Sequence, residues 1–264
     1  MKKLSTILIA LLLLLSAEGQ ILRYGNSTYT PPEEPAENYG VDELWDGHTK
    51  AWFEYDTAVS VTDNAVTQWN DLSGNGYHLL PYATDGSAGT ADNRPAWHTT
   101  DGITFDGTDD AMRVMIDGWS TFGTVYAVVK AVSWNSDDVL FAYGGTGSVR
   151  VSQKSSTPNI AIAQSSGTVG GLSFTLGEVG ILVLHTNEAT PISTLSLNGG
   201  EPIENTGGMV GYTSAGIILG ANHTSSPPAL QRWGNVIIYE IIWRDQVDSG
   251  ATLTAIYNYL DAKY

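Results

Sequence analysis

Hydrophobic residues in most of the chain form short runs that recur at intervals of about ten residues, each closed by a turn residue. This spacing is typical of an all-β sandwich. Residues 124–132 (TVYAVVKAV) predict a strand that is buried on both faces. Further strands are predicted in DVLFAYGG, SVRVSQ, NIAIAQ, LSFTLG, GILVLHTN, STLSLNGGEPI, AGIILGAN and NVIIYEIIWRD. In STLSLNGGEPI, Asn198 and Gly199 favour the positive φ angles of a tight hairpin.

The pattern changes in the last segment, DSGATLTAIYNYLDAKY. Its apolar residues recur at the i, i+3, i+4 and i+7 spacing of one helical face, so it predicts an amphipathic helix. We expect Asp248 or Ser249 to cap its start, and the apolar stripe to cover a sheet edge or an open end of the sandwich. The stripe residues are Leu253, Ile256, Tyr257 and Leu260.

The beginning of the chain has a different texture from the rest. Residues 1–19 combine two lysines, a short leucine-rich run and the small-x-small triplet Ala17-Glu18-Gly19, which predicts a secretory signal peptide cleaved before Gln20. Residues 20–44 carry proline and glutamate without an apolar period and predict a tether. Residues 45–264 are then the folded domain, and the protein is expected to be secreted.

Charge and cysteine content narrow the possible partners. The formal net charge is −16 at pH 7, so nucleic acid, anionic lipid and heavily carboxylated or sulfated glycans are expected to be repelled unless a cation bridges the charges. The chain has no cysteine, which excludes a disulfide framework and a thiolate nucleophile. Neither zinc nor another histidine-bound metal is indicated, because no two histidines have the i, i+4 or H-x-H spacing.

Several motifs follow one another in a fixed order: Trp52 in AWFEYD, then WNDLSGNG (69–76), RPAW (94–97) and FDGTDD (105–110), and finally the strand and helix from IYEIIWRD to the end. Together they resemble the concanavalin A-like, laminin G-like jelly-roll domains of bacterial and phage extracellular proteins. The resemblance covers about residues 45–264. It implies a two-sheet antiparallel jelly-roll sandwich with a C-terminal helix, in a family that often binds glycans and is often purely structural.

The acidic stretch FDGTDDAM allows more than one interpretation. It is not an EF-hand, because a twelve-residue loop with a closing Glu is missing. Asp109 and Asp110 are adjacent, so in an extended segment they point to opposite faces and cannot act on one bond. As a turn, Asp106 accepts a hydrogen bond from the backbone two residues on, while Phe105 and Met112 enter the core.

The alternative for this stretch is a calcium site, with calcium as the one cofactor considered. It would recruit Asp71 or Asn75 from the DLSGNG loop. Both interpretations, turn and calcium site, stay open at this point.

Catalytic motifs are incomplete. Glucanases on this fold carry E-x-D-x-x-E on one strand, but after Glu54 and Asp56 the required second acid is replaced by Val59. Glu240 is expected to face solvent or to bond a loop backbone. A lyase would need a Tyr and a His on one concave sheet, for which the candidates are Tyr143, Tyr212 and His185. The chain is therefore predicted to be non-catalytic.

Glycan binding requires exposed aromatic faces together with amide, carboxylate or backbone groups for sugar hydroxyls. The loops SWNSDD (133–138) and LGANHTSSPP (219–228) have this composition. Trp52, Trp69, Trp97 and Trp243 lie in strand-like contexts and are expected in the core. The candidate ligand-binding residues are Trp134, Asn135, Asp137, Asn222 and His223, and for Trp134 a place in the core stays open as the alternative.

The sequence thus favours a secreted, non-catalytic, lectin-like module that recognises a neutral extracellular glycan on a cell surface or in a matrix. One alternative is a structural or adhesive surface or virion-associated protein without a small-molecule site. The other is a divergent polysaccharide lyase or hydrolase.

Overall fold

The computed structural model describes residues 40–83, 85, 87–117, 122–143, 149–154, 158–164, 167–187, 192–207, 214–223 and 230–264, without the side chains of residues 117, 143, 214, 215 and 223. The predicted signal peptide and the first part of the predicted tether lie outside these residues. A 3-10 helix, Asp42–Trp45, buries Leu44 against the domain. The end of the predicted tether therefore packs on the domain.

The described residues form nineteen strands and one α-helix, α1 (Gly250–Lys263). A second 3-10 helix spans Ala91–Asn93. In chain order the strands are β1 (Thr49–Glu54), β2 (Val59–Thr62), β3 (Ala65–Trp69), β4 (Leu80–Pro81), β5 (Ala96–His98), β6 (Gly102–Asp106), β7 (Met112–Asp117), β8 (Gly123–Ala131), β9 (Val139–Tyr143), β10 (Val149–Lys154), β11 (Asn159–Gln164), β12 (Gly167–Ser173), β13 (Val179–Asn187), β14 (Ile192–Leu197), β15 (Ile203–Asn205), β16 (Ser214–Leu219), β17 (Asn222–His223), β18 (Leu230–Gln231) and β19 (Asn235–Arg244).

Two antiparallel sheets pack into a sandwich. The ten-stranded sheet runs β15-β14-β13-β8-β19-β6-β5-β3-β2, with β1 also paired to β19, and the seven-stranded sheet runs β12-β11-β10-β9-β16-β7-β4. The strands β17 and β18 form a separate ribbon. The prediction of an all-β, two-sheet antiparallel sandwich with a C-terminal helix is confirmed.

The main core lies between the two sheets. The sequence of β8 does not alternate between apolar and polar residues because both faces of the strand are buried. Val125, Ala127 and Val129 face the main core. Tyr126 and Val128 face a second apolar cluster on the outer side of the ten-stranded sheet. Its predicted burial on both faces is confirmed. Three tryptophans expected in the core, Trp52, Trp69 and Trp243, are fully buried, and Trp97 packs against the main core while half-buried.

The helix α1 closes the second cluster. Ile256 and Leu260 are fully buried in it, and Leu253 and Tyr257 pack at its margin. The predicted apolar stripe is confirmed, but its expected position was wrong, because α1 covers the outer face of the ten-stranded sheet. Such a face needs a cover because it is itself apolar.

The predicted helix cap is not formed. Ser249 holds the N-cap position without a side-chain hydrogen bond. Asp248 is buried and instead pairs with Arg244 at 2.8 Å and accepts a hydrogen bond from Tyr126 at 2.9 Å. Its carboxylate therefore ties the start of α1 to β8 and β19. Among the described residues no helix is long and apolar enough to cross a membrane.

Candidate functional site

Strand pairing gathers several loops at one end of the sandwich. Leu219, at the end of β16, pairs with Met112 at the start of β7 and with Phe141 in β9. The Gly220 N–H donates to Leu140, and the Val139 N–H donates to Arg232, both at 3.0 Å. We call the described residues 106–111, 132–138, 220–223 and 230–234 the loop end. The two loops predicted to bind a glycan thus lie at this end, although residues 224–229 are outside the described part.

The loop at 133–138 is held by one buried side chain, Gln153 of β10. Its amide nitrogen donates to Ser133 at 2.8 Å, and its side-chain oxygen accepts from the Asn135 N–H at 2.7 Å. The Gln153 carbonyl also accepts from the Asp137 N–H at 3.0 Å. These bonds fix the loop while Asn135 and Asp137 stay exposed.

The candidate ligand-binding residues differ in how they can reach a ligand. Trp134 is half-buried and packs against the main core. Asn135 and Asp137 are exposed, whereas Asn222 is only 5% exposed. His223 belongs to β17, but its side chain is not among those described. Of the described side chains, Asn135 and Asp137 are the most available to solvent.

The acidic stretch at this end forms the predicted turn. The Asp106 carboxylate accepts hydrogen bonds from the Thr108 N–H at 2.7 Å and from the Asp109 N–H at 3.3 Å. Gly107 has φ +77°, and Phe105 and Met112 are fully buried. The local pattern therefore identified the turn correctly, because an Asx turn depends on neighbouring residues only.

The same turn corrects two expectations about the carboxylates. The segment bends, so the carboxylates of Asp106, Asp109 and Asp110 converge within 4.8 Å instead of pointing to opposite faces. Asp71 accepts a hydrogen bond from the N–H of Trp52, and Trp52 is paired with Ile242 near the end of β19. Asp106 is paired with Asn235 at the start of β19. These two positions are about 24 Å apart along β19. Asn75 is at the far end too, since its amide donates to Thr49 at 3.0 Å. A calcium ion at the turn would have three carboxylates but neither Asp71 nor Asn75.

We predict that Asp110→Asn stabilises the protein more at pH 8 than at pH 5. Burial, and then the charge of Asp106, raises the pKa of Asp110 from 3.8 to about 7. The folded state keeps a proton that the unfolded chain releases, so this contribution to stability is present at acidic pH and is lost as the pH rises through 7. At pH 8 the asparagine removes a buried charge, and its carbonyl can still accept from the Asp106 N–H. The expected gain is at least about 1 kcal/mol, measured by urea unfolding in EDTA.

Asp109→Asn is the matched control, because Asp109 lies in the same turn and is more exposed. Its unfolding free energy is expected to change by no more than about 0.5 kcal/mol. Since Asp106 and Asp110 already accept backbone hydrogen bonds, calcium should raise the melting temperature no more than magnesium does. A calcium-specific rise that Asp109→Asn abolishes would show a metal site instead.

The carboxylates of Glu54 and Glu240 form a pair that the sequence did not predict. They are directly opposite in β1 and β19, and both are about 1% exposed. Glu240 accepts from Trp52 at 2.7 Å, from Lys263 at 2.8 Å and from Tyr264 at 2.9 Å. The expectation that Glu240 faces solvent or a loop backbone was wrong, because α1 and the residue after it supply its partners.

Two of the three lyase candidates, His185 and Tyr143, do not share a sheet. His185 belongs to β13 in the ten-stranded sheet, whereas Tyr143 belongs to β9 in the seven-stranded sheet. Tyr212 lies outside the described residues. The requirement for a Tyr and a His on one concave sheet is therefore not met by His185 and Tyr143.

Sequence reasoning missed a set of arginines beside the loop end: Arg113, Arg150 and Arg232. A usable signal existed in VRV (149–151), where alternation with two core valines puts Arg150 on the outer face of its sheet. The neighbourhood of these arginines depends on pairing between distant strands, and single-strand alternation does not contain that information.

No protein-family model matches this chain, and none of the curated proteins matches its sequence. Solved structures share its fold. Trypanosoma rangeli sialidase in complex with sialic acid is 12% identical with a TM-score of 0.56, over 83% of this chain and 37% of the sialidase. Domain 4 of AbnA, a GH43 extracellular arabinanase from Geobacillus stearothermophilus, in complex with arabinotriose, is 16% identical with a TM-score of 0.50, over 80% of this chain and 98% of that domain.

A GH54 α-l-arabinofuranosidase is 14% identical with a TM-score of 0.53, over 75% of this chain and 51% of the enzyme. This chain thus spans about a third to a half of the length of these two enzymes, but nearly all of the arabinanase domain. At such identities the similarity shows the β-sandwich fold alone.

Proposed function

We propose that this chain is a secreted, non-catalytic, concanavalin A-like module that binds an extracellular glycan at the loop end. One observation carries the proposal: sheet pairing brings the two candidate loops together, and the buried Gln153 holds one of them with Asn135 and Asp137 exposed. A sugar site requires fixed polar groups beside an aromatic side chain. When the loop is already ordered, binding costs little further conformational entropy.

Two further points support this proposal. The arabinanase domain that matches the present fold over 98% of its length was solved in complex with arabinotriose. Against catalysis, Glu54 and Glu240, which face each other on neighbouring strands, are buried beneath α1 and out of reach of a substrate. Export is supported by the predicted signal peptide.

The test is a glycan array followed by the variant Asp137→Gly. Asp137 has φ +72°, a conformation that glycine adopts without strain, so the change removes the carboxylate and leaves the loop backbone in place. We expect a loss of affinity of about tenfold or more, the size of a lost charged hydrogen bond. Titration calorimetry with the best array ligand measures this loss.

Asp63→Gly is the matched control. Asp63 is also exposed, with φ +53°, in the turn between β2 and β3 at the edge of the ten-stranded sheet. Its replacement should leave binding unchanged. Arrays that stay blank, together with self-assembly of the protein, would contradict glycan binding and favour the structural or adhesive alternative.

A further inference from the structure

The arginines beside the loop end share one face of the seven-stranded sheet. Arg113 pairs with Ile218, Ile218 with Ala142, and Ala142 with Arg150, across the neighbouring strands β7, β16, β9 and β10. Directly paired residues lie on the same face of a sheet, so Arg113 and Arg150 do as well. This is the outer face, because the residues that flank them in sequence belong to the main core, namely Met112, Val114, Val149 and Val151.

Arg232 extends this face from the loop end. Its carbonyl accepts the N–H of Val139, and its φ of +59° is uncommon for a residue other than glycine. Burial first, and then the charge of Arg232, lowers the pKa of Arg150, while the charge of the Asp137 carboxylate raises it. Two cations are therefore held near each other despite their mutual repulsion. We call Arg113, Arg150 and Arg232 the arginine face.

No carboxylate is in ion-pair contact with these guanidinium groups among the described residues, although the charge of Asp137 acts on Arg150. Within the described residues none of the three forms an ion pair, while Lys50, Arg244 and Lys263 all do. The Nε atoms of Arg113 and Arg150 and one Nη of Arg232 are buried without a hydrogen-bond partner. Each of the three guanidinium groups therefore has donor capacity that no described anion takes up.

Aromatic side chains accompany the arginines. The Arg113 guanidinium lies 4.8 Å from the ring centre of Tyr82. Tyr82 and Trp233, both half-buried, pack on a small apolar cluster that contains Ile218, the residue paired with Arg113. Aromatic faces suit the C–H surfaces of a sugar ring, and guanidinium groups suit a carboxylate.

We propose that the arginine face binds the carboxylate of an acidic sugar, a uronic acid unit, within the glycan that this module recognises. The inference rests on the proposed function and adds the ligand's chemical class. A guanidinium fork matches both carboxylate oxygens, which makes it selective for this group over a hydroxyl.

The proposal revises the expectation drawn from net charge. The formal charge of −16 is spread over the whole molecule, and the Debye length at physiological ionic strength is about 8 Å. Charges farther away than this are largely screened, so a bound carboxylate responds mainly to the charges beside it, which are three arginines and the Asp137 carboxylate. Carboxylated glycans can therefore bind at the arginine face without a bridging cation.

The experiment titrates the protein with oligosaccharides of galacturonate, glucuronate, guluronate and mannuronate, and with the carboxyl-reduced counterpart of each. Reduction keeps the sugar and removes its charge. We expect at least one uronate oligosaccharide to bind, with its reduced counterpart at least tenfold weaker. Arg150→Gln and Arg232→Gln should each weaken uronate binding at least tenfold, and Arg150→Lys should restore only part of it.

Lys130→Gln is the control for charge, since it removes one positive charge from β8 on the other sheet. It should leave binding unchanged, and melting curves of all variants exclude unfolding as the cause. A uronate oligosaccharide and its reduced counterpart that bind equally, together with no effect of Arg150→Gln, would contradict carboxylate binding by the arginine face. The proposed function would stand in that case. Binding of neutral glycans without binding of any uronate oligosaccharide would likewise contradict the arginine face and leave the proposed function in place. Failure of all glycans contradicts both proposals.

Discussion

Removing residues 250–264 is expected to leave the protein aggregated or insoluble. The deletion uncovers the outer face of the ten-stranded sheet, where Tyr126, Val128 and Ile242 are buried beneath or beside α1. Burying each large apolar side chain contributes roughly 1.5–3 kcal/mol, and the net stability of a whole domain is only about 5–15 kcal/mol. The loss of several such contacts is therefore comparable with the entire stability. Soluble yield and thermal melting measure the result.

A point variant in α1 distinguishes the effect of lost packing from the effect of deleting the helix. Leu260→Asp puts a charge at a fully buried position, and we expect a cost of more than about 3 kcal/mol. Asn258→Asp introduces the same side chain at an exposed position of α1 and should change stability by less than about 0.5 kcal/mol. A truncated protein that stays soluble and melts like the parent would show that α1 is an appendage.

Lys263→Met is expected to destabilise the protein by about 3–5 kcal/mol at pH 8, because it leaves two buried carboxylates without their cation. The Lys263 ammonium contacts both Glu54 and Glu240. Methionine keeps an unbranched chain that is one atom shorter and removes the charge, so the packing of the aliphatic part changes little. Urea unfolding measures the loss.

The effect of Lys263→Met should depend on pH. Burial raises the pKa of Glu54 from 4.5 to about 7, against the lowering effect of Lys263. The proton on Glu54 therefore stabilises the folded state at acidic pH, and this contribution is lost as the pH rises through 7. The cost of Lys263→Met should accordingly be smaller at pH 5.5 than at pH 8. Adding Glu54→Gln should restore part of the stability at pH 8. Equal losses at both pH values, with no rescue, would refute this account.

Features governed by near neighbours were predictable from the sequence. The strand runs, the stripe of α1 and the turn at Asp106 all follow from residues within a few positions of one another, and the structure has each of them. The hairpin turn is another case: Asn198 and Gly199 have φ of +49° and +67°, as their sequence predicts.

Features that depend on pairing across the chain were not predictable. Glu240 lies in an apolar run and was expected to face solvent, yet its partners Lys263 and Tyr264 come from beyond the last strand. The calcium interpretation joined Asp71 to the acidic turn, because sequence does not show that they occupy opposite ends of β19. In the same way, the arginine face exists only once the register of β7, β16, β9 and β10 is known.

The position of β19 sets the order in which this protein can fold. This strand is made after the other eighteen described strands, yet β8 pairs along one of its edges, while β6 and β1 share the other. Its pairing with β1 joins Thr49 to Arg244 across most of the chain, and such distant contacts are slow to form. During synthesis β1, β6 and β8 cannot pair with β19 until β19 has been made. The complete ten-stranded sheet therefore assembles only after residue 244 has been made. A nascent chain that stops before β19 would expose three apolar strand edges, so synthesis of β19 is a condition for folding of the ten-stranded sheet, and exposed strand edges of this kind favour aggregation.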